Sequence, residues 1–343
     1  MKYTEIIITQ LTSVGWVKFI FNRSQRPVQK HWPLKFLEVL KMIRADGNGK
    51  VKKEVLAISS ELISSMGQFL RREGFIELLP VVISSITDPL DHSVFDASIE
   101  YYGRKYSLTK SMIFHKQLAL RVYPRIFIFS PNIRFEEQSR ASTGNHLIEF
   151  IQLDLEIIDA KREDILELIE KMIVDAFRNL NEKFGKVLRA MNSKFSIPEI
   201  PFNRVKYLDV YRIYGKDFDS ILSRKATQPF WLIDIPIEKR EFYDKLSGNG
   251  RTLIDMDLIY PYGFGEALSG GEREYQYDKI ISRMKFKGND ENSLKWYLDE
   301  VKKGIPPSAG CGIGIERLIR FICNLESVSE ARLFAKLPGT LSI

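Results

Sequence analysis

Apolar positions along this chain change period several times, and each change marks an element. From Val55 to Arg72, the residues Leu62, Met66, Phe69 and Leu70 recur at helical spacing on one face, and Gly74 stands where that helix should close, because a left-handed residue ends helices well. Lys161 to Phe184 is the plainest helix, with Ile165, Ile169, Met172, Ala176, Leu180 and Phe184 as its stripe and Gly185 as its stop. A shorter helix is expected over Leu34–Met42, closed by Asp46-Gly47-Asn48-Gly49. Strand-like stretches are Glu5–Phe21, Phe75–Ile86, Arg125–Ile133, Leu147–Ile158, Phe230–Ile237 and Thr252–Ile259. Gly310–Asn324 reads as a Gly-rich turn running into a helix. Strands joined by hairpin-like loops, with a few long helices, predict an α+β fold: an antiparallel sheet with helices packed on it.

One strand carries chemistry on its pattern. Side chains alternate faces, so Leu147, Glu149, Ile151, Leu153, Leu155 and Ile157 point one way and Ile148, Phe150, Gln152, Asp154 and Glu156 the other. The first set suits packing on helices. The second sets polar and acidic groups beside an aromatic ring, which is costly to bury without partners and suits a ligand-binding face. Arg134, at the end of the preceding strand, offers a two-pronged guanidinium for a phosphate or carboxylate.

Composition changes the picture little, charge rather more. The chain has 343 residues, 44% hydrophobic and 28% charged, with no apolar run long enough to cross a membrane. Two cysteines, Cys311 and Cys323, make no disulfide framework or zinc knuckle, and the N-terminus lacks the pattern of an export signal, so a cytoplasmic setting is expected. Residues 1–60 hold 11 Lys and Arg against 4 Asp and Glu, whereas the remainder hold 40 of each. The expected organisation is a basic N-terminal extension over 1–55 and a neutral catalytic domain over 56–343. A solvated surface explains the basic extension better than nucleic-acid contact does, since its cations are interleaved with apolar residues.

Four motifs in order carry a resemblance. "NIRFEE" with "NHLIEFIQLDLE" resembles motif 2 of the class II aminoacyl-tRNA synthetases, in the aspartyl/asparaginyl branch. "GCGIGIERLIRF" (Gly310 to Phe321) is similar to motif 3, with Gly-x-Gly-x-Glu-Arg at Gly312 to Arg317. "GFIELLP" (Gly74 to Pro80) resembles motif 1, whose proline lies at a dimer interface, and "GFGEALSGGERE" (Gly263 to Glu274) resembles the branch's Gly-Glu-x-x-Ser-Gly-x-x-Arg block. With "ITDPL", "LTKSMIFHKQLAL" and "PSAGCGIGIERLIRFI", the chain looks most like the archaeal asparagine synthetases, an offshoot of that branch. The resemblance implies a class II synthetase-like antiparallel sheet flanked by helices, a homodimer, and ATP and Mg2+ at the site.

It also implies roles. Arg134 would hold the α-phosphate and the reacting carboxylate, Arg317 the far phosphates, Phe150 the adenine face, Glu136 the adenine edge and His146 the phosphates, with Phe135, Leu147, Gly314, Ile315 and Glu316 around the nucleotide. Glu266 matches the main metal ligand, Ser269 its hydroxyl partner, and Asp257 is a second acid for the metal. Asp88, Gln152, Ser269, Arg273 and Lys116 would receive aspartate: Arg273 takes the carboxylate that is not activated and Asp88 the ammonium. Lys116 favours aspartate over asparagine, because a carboxylate needs a full charge partner and an amide would leave the lysine unpaired.

The function expected is asparagine synthesis from aspartate and ammonia through an aspartyl adenylate. The alternatives are an aspartyl- or asparaginyl-tRNA ligase and a non-catalytic paralogue. On this reading tRNA is not an expected partner, since the N-terminal stretch is shorter than the family's anticodon-binding barrel, although its positive charge keeps tRNA contact open. Two departures stand out from the aspartyl enzymes. The loop from Arg134 to His146 is longer, with Asn145 where an arginine is common, and Ile113 replaces a substrate-reading glutamine.

Overall fold

The computed structural model describes residues 53–340 and the strands β1 (Ile6–Thr12) and β2 (Gly15–Phe21). The chain forms two compact units, Met1–Asp46 and Gly47–Ile343. In the first, β1 and β2 pair antiparallel, Ile6 opposite Phe21. The helix expected over Leu34–Met42 lies outside the described residues.

The second unit runs α1 (Lys53–Arg72), β3 (Ile76–Glu77), β4 (Ile83–Ser84), β5 (Ser98–Tyr101), β6 (Arg104–Leu108), α2 (Ile113–Ala119), β7 (Arg125–Ile133), β8 (Glu149–Ile158) and α3 (Arg162–Met191). It continues with β9 (Asn203–Lys206), α4 (Tyr207–Tyr214), α5 (Phe218–Lys225), β10 (Phe230–Ile233), β11 (Asp255–Tyr260), β12 (Gly265–Glu272), α6 (Tyr277–Lys287), α7 (Lys295–Lys302), β13 (Ser308–Gly314) and α8 (Ile315–Cys323). An eight-stranded sheet has the order β3-β7-β8-β13-β12-β11-β10-β9. Its pairs are antiparallel except for the outermost two, β3 with β7 and β9 with β10. A separate three-stranded sheet joins β4, β6 and β5.

The apolar stripes dictate the layers. Val55, Ile58, Leu62, Met66 and Leu70 of α1 are buried in one core with Ile165, Ile169, Met172, Ala176 and Leu180 of α3 and with Leu153, Leu155 and Ile157 of β8. Each such side chain contributes roughly 2 kcal/mol by leaving water. That packing covers the apolar face of β8 and leaves Gln152, Asp154 and Glu156 on the other. Because β8 sits between β7 and β13, its polar face lies mid-sheet.

Three expectations need correction. The helix α3 does not stop at Gly185 but runs on to Met191, because the stripe continues through Leu188, fully buried, and Met191. The continued burial outweighs the roughly 1 kcal/mol that glycine costs inside a helix. The stretch Phe75–Ile86 is not one strand: β3 and β4 are two residues each, and Pro80, which has no N–H to donate, lies between them. The Gly-rich start of Gly310–Asn324 is not a turn, although the helix expected after it is present as α8. Ser308–Gly314 is a central strand, and its glycines have a purpose in the site.

Candidate active site

Glycines of β13 face the acids of β8. Gly310 lies opposite Glu156, Gly312 opposite Asp154 and Gly314 opposite Gln152. A Cβ at Gly310 would come 2.1 Å from Glu156 Oε2 and 2.2 Å from the Leu155 carbonyl oxygen. At Gly312 it would crowd Asp154 and Gln152 at 3.1 and 3.2 Å. Glycine on β13 is therefore what gives these carboxylates room between strands.

Into that room come two buried cations. Lys116, on α2, sets Nζ 3.0 Å from Asp154 Oδ1, 3.0 Å from the Cys311 carbonyl oxygen and 3.4 Å from Glu156 Oε2. Arg273, just past β12, donates from Nε to Glu156 Oε1 at 3.1 Å, from Nη1 to Asp244 Oδ1 at 2.6 Å and from Nη2 to the Gly310 carbonyl oxygen at 2.9 Å. Burial alone would weaken the charge on Arg273, but Glu156 and Asp244 hold it firmly protonated. The two cations are thus locked in place by acids of the protein.

A second guanidinium, Arg240, answers another part of the wall. It donates from Nε to Asp255 Oδ2 at 3.0 Å, from Nη1 to Ser269 Oγ at 2.9 Å, and from Nη2 to Asp257. Burial still raises the Asp255 carboxyl to about 6 and the Asp257 carboxyl to about 7, with Arg240 opposing. Beside them, Asp88 is raised by burial, though Arg134 opposes the shift. Its oxygens accept from the Tyr243 hydroxyl at 3.0 Å and the Leu90 amide at 3.1 Å. Glu241 rises to about 7, through burial first and then through Asp88 and Asp244.

A second cluster is built from the end of β7, the loop after it and α8. The Arg134 guanidinium carbon lies 5.1 Å from the Phe150 ring centre, and its Nε donates to the Lys110 carbonyl at 3.1 Å. Glu136 is buried and pairs with His92 at 3.0 Å, which keeps its carboxyl below the ordinary range although burial pushes upward. His146 is pushed down to about 4, chiefly by burial and then by Arg317, so its ring is neutral at pH 7. Arg317 donates from Nη1 to the Glu266 carbonyl at 3.0 Å and lies 3.6 Å from that residue's carboxylate.

Both clusters line one cavity of about 390 Å³. Of the residues singled out in the sequence, it gathers Asp88, Lys116, Arg134, Glu136, His146, Leu147, Phe150, Gln152, Glu266, Ser269, Arg273, Gly314, Glu316 and Arg317. Phe135, Ile315 and Asp257 do not line it. Phe135 pairs by backbone with Phe95, Ile315 is buried in the apolar core, and Asp257 is bound to Arg240. Glu316 is committed as well: both oxygens accept the Ile151 amide at 3.1 Å, and Arg332 pairs with it at 3.2 Å, so it ties α8 to β8. The cavity also includes His92, Arg140, Arg240, Glu241, Tyr243 and Asp244, none of them singled out in the sequence. Arg140 matters because Asn145 is held by Arg320 at 2.8 Å, leaving Arg140, 3.5 Å from His146, as the loop's cation.

The donor set for magnesium is narrower than expected. Arg240 takes up Asp257 and Ser269, and no group of three or more His, Cys, Asp or Glu among the described residues is arranged to hold a metal ion. Glu266, with its half-exposed carboxylate, fits an ion that takes most of its oxygens from nucleotide phosphates and water.

Comparison with known proteins places the fold. The family of class II tRNA synthetases (D, K and N) matches residues 40–338. The chain belongs to that family. The asparagine–tRNA ligase of Pyrococcus abyssi is 27% identical over 304 residues, covering 84% of this chain and 69% of the relative. The aspartate–tRNA(Asp/Asn) ligase of Archaeoglobus fulgidus is 28% identical over 297 residues, covering 82% and 67%. The asparaginyl-tRNA synthetase of Pyrococcus horikoshii complexed with asparaginyl-adenylate superposes with a TM-score of 0.79 at 23% identity, covering 98% of this chain and 82% of that one. As a class II synthetase the chain has the expected α+β fold, and it is an AMP-forming ligase. No helix among the described residues is long and apolar enough to cross a membrane.

Proposed function

We propose that this class II synthetase activates aspartate with ATP, forming an aspartyl adenylate, and hands the aspartyl group to an acceptor. One observation carries the choice of amino acid: Lys116 and Arg273 are both buried, both line the cavity, and both rest on Glu156. Paired cations suit a dicarboxylate. An amide side chain would bring no anion to share these cations with the acids that hold them, whereas each carboxylate of aspartate can do so. Asp154, Glu156 and Asp244 hold the cations before substrate arrives, so little reorganisation is needed on binding.

Adenylation needs the carboxylate oxygen in line with the α-phosphorus while charge builds on the departing pyrophosphate. Arg134 and Arg317 supply fixed positive charge for that, and Phe150 supplies a flat face for the adenine ring. Glu136 can accept from an adenine amine once His92 yields. His146, neutral in the free protein, would gain a proton beside phosphate. Glu266 is the place for Mg2+, which would neutralise phosphate charge when bound.

Two acceptors are supported by different observations. Kinship with asparagine– and aspartate–tRNA ligases supports the 3′ end of a tRNA, and this weighs more than the expectation of ammonia drawn from sequence. Free ammonia, which would give asparagine when the side-chain carboxylate is activated, is supported by unmatched carboxylates in the cavity. A cytoplasmic enzyme is proposed, and a homodimer is supported by Ile76, Leu79, Val82 and Ile83, exposed on either side of Pro80. Residues 1–55 and 56–343 are proposed as extension and catalytic domain. The deciding experiment measures pyrophosphate exchange with aspartate and with asparagine, then supplies tRNA or ammonium. Exchange that follows asparagine and ignores aspartate would overturn the reading.

A further inference from the structure

In and behind the cavity wall around Lys116, Arg240 and Arg273 there is more acid than base. Lys116 is matched by Asp154, Arg273 by Glu156 and Asp244, and Arg240 by Asp255 and Asp257. Among the described residues Asp88 and Glu241 have no ion pair; Asp88 accepts from the Tyr243 hydroxyl and the Leu90 amide, with the charge of Arg134 acting on it from farther away. Aspartate brings two carboxylates and one ammonium, so binding it does not cancel the excess. Independently of that count, Asp154 is 2% exposed, lines the same cavity, and keeps Oδ2 buried with no hydrogen-bond partner. A buried carboxylate oxygen without a donor is costly, and a small cation with several N–H groups removes that cost.

We infer that Glu241 and the open oxygen of Asp154, which line one cavity with Asp88, make that cavity a site for an ammonium ion beside the aspartate ammonium expected at Asp88, and that Glu241 accepts its proton. The inference rests on the aspartyl adenylate proposed above and names the base of the ammonia-dependent reaction. Ammonium gives one proton to the Glu241 carboxylate, which frees the nitrogen lone pair. The nitrogen attacks the activated carbonyl carbon, forming the C–N bond. The bond from that carbon to the phosphate oxygen breaks, AMP leaves with the electron pair, and the nitrogen sheds a second proton to water as the amide forms. The charged and titratable groups that act on Glu241 are Asp88, Asp244 and Arg240. Its carboxyl, near 7, is matched to a proton acceptor working at neutral pH.

The test supplies the whole protein with ATP, Mg2+, aspartate and 15N-ammonium chloride, against potassium chloride at equal ionic strength, and reads 15N-labelled amide by mass spectrometry beside aspartate-dependent pyrophosphate exchange. Labelled amide is expected from the wild type. Glu241→Gln should lower the ratio of amide formation to exchange at least tenfold, and Glu241→Asp should recover part of it with a shifted pH profile. Exchange without any labelled amide overturns this inference and leaves aspartate activation standing; an unchanged ratio in Glu241→Gln overturns the role of Glu241. Absence of exchange with aspartate overturns both.

Discussion

Trp231 donates its indole N–H to Oε1 of Glu170 across 2.8 Å, and the same oxygen accepts the Phe202 amide at 3.1 Å. Both residues are buried, so one carboxylate fastens α3 to the sheet near its β9 edge. Glu170→Ala would leave an indole and an amide without acceptors in the core. We expect a loss of about 3 kcal/mol in urea or thermal unfolding. Pyrophosphate exchange at 25 °C should persist, because Glu170 does not line the cavity.

Lys116→Met removes one cation from above two buried acids. Aspartate should be weakened much more than ATP, with KM for aspartate rising at least tenfold. The orphaned Asp154 and Glu156 should also cost the fold on the order of 3 kcal/mol. Steady-state exchange with each substrate varied in turn measures the first effect. Equal rises in both KM values would remove the specificity role.

Gly310→Ala asks whether the room on β13 is needed. The Leu155 carbonyl is backbone and cannot swing away from a Cβ 2.2 Å distant, so strands must part or Glu156 must leave Arg273. Either outcome lowers stability by about 3 kcal/mol or more. Aspartate should again suffer more than ATP in the fraction that folds. A variant with unaltered melting temperature and KM would contradict the geometry.

Stability should fall as pH rises through neutrality. Glu241 has an ordinary value of 4.5 and rises to about 7 in the fold, so the folded chain binds a proton there that the unfolded chain has already lost. Its contribution is therefore complete below about pH 4.5 and gone above 7, each pH unit of separation being worth about 1.4 kcal/mol. Denaturant titrations at pH 5 and 8 should differ in the wild type, and the difference should shrink in Glu241→Gln without vanishing, because Asp255 and Asp257 are raised in the same sense.

Histidine 146 behaves in the opposite sense. Held at about 4 against an ordinary 6.5, it contributes stability that is lost as pH falls between those values. In the free protein its ring should remain neutral at pH 6 by NMR. Adding ATP should raise its midpoint, since phosphate offsets the charge of Arg317.

How much of this was legible depended on range. The strand Arg125–Ile133 and the core stripe of α3 follow from local period, because burial on one face repeats along consecutive residues. The role of Gly310 did not follow, since its neighbour Glu156 is far away in sequence and a glycine-rich run reads locally as a turn. Motif resemblance pointed to Arg134, Arg317 and Arg273 as site residues. It missed Arg240, Glu241 and Asp244, which sit in an irregular segment whose charges look like any solvated loop. Their burial is a product of tertiary convergence, and periodicity has no term for that.

The sheet order sets β8, β13 and β12 side by side, each joined to the next by a backbone ladder. Asp154 and Glu156 therefore ride on rigid strands, Arg273 stands at the margin of that ladder, and Glu241 and Asp88 belong to the loops around it. Loop changes can thus alter Glu241 and Asp88 while the strand-borne acids Asp154 and Glu156, with the cations they hold, stay undisturbed.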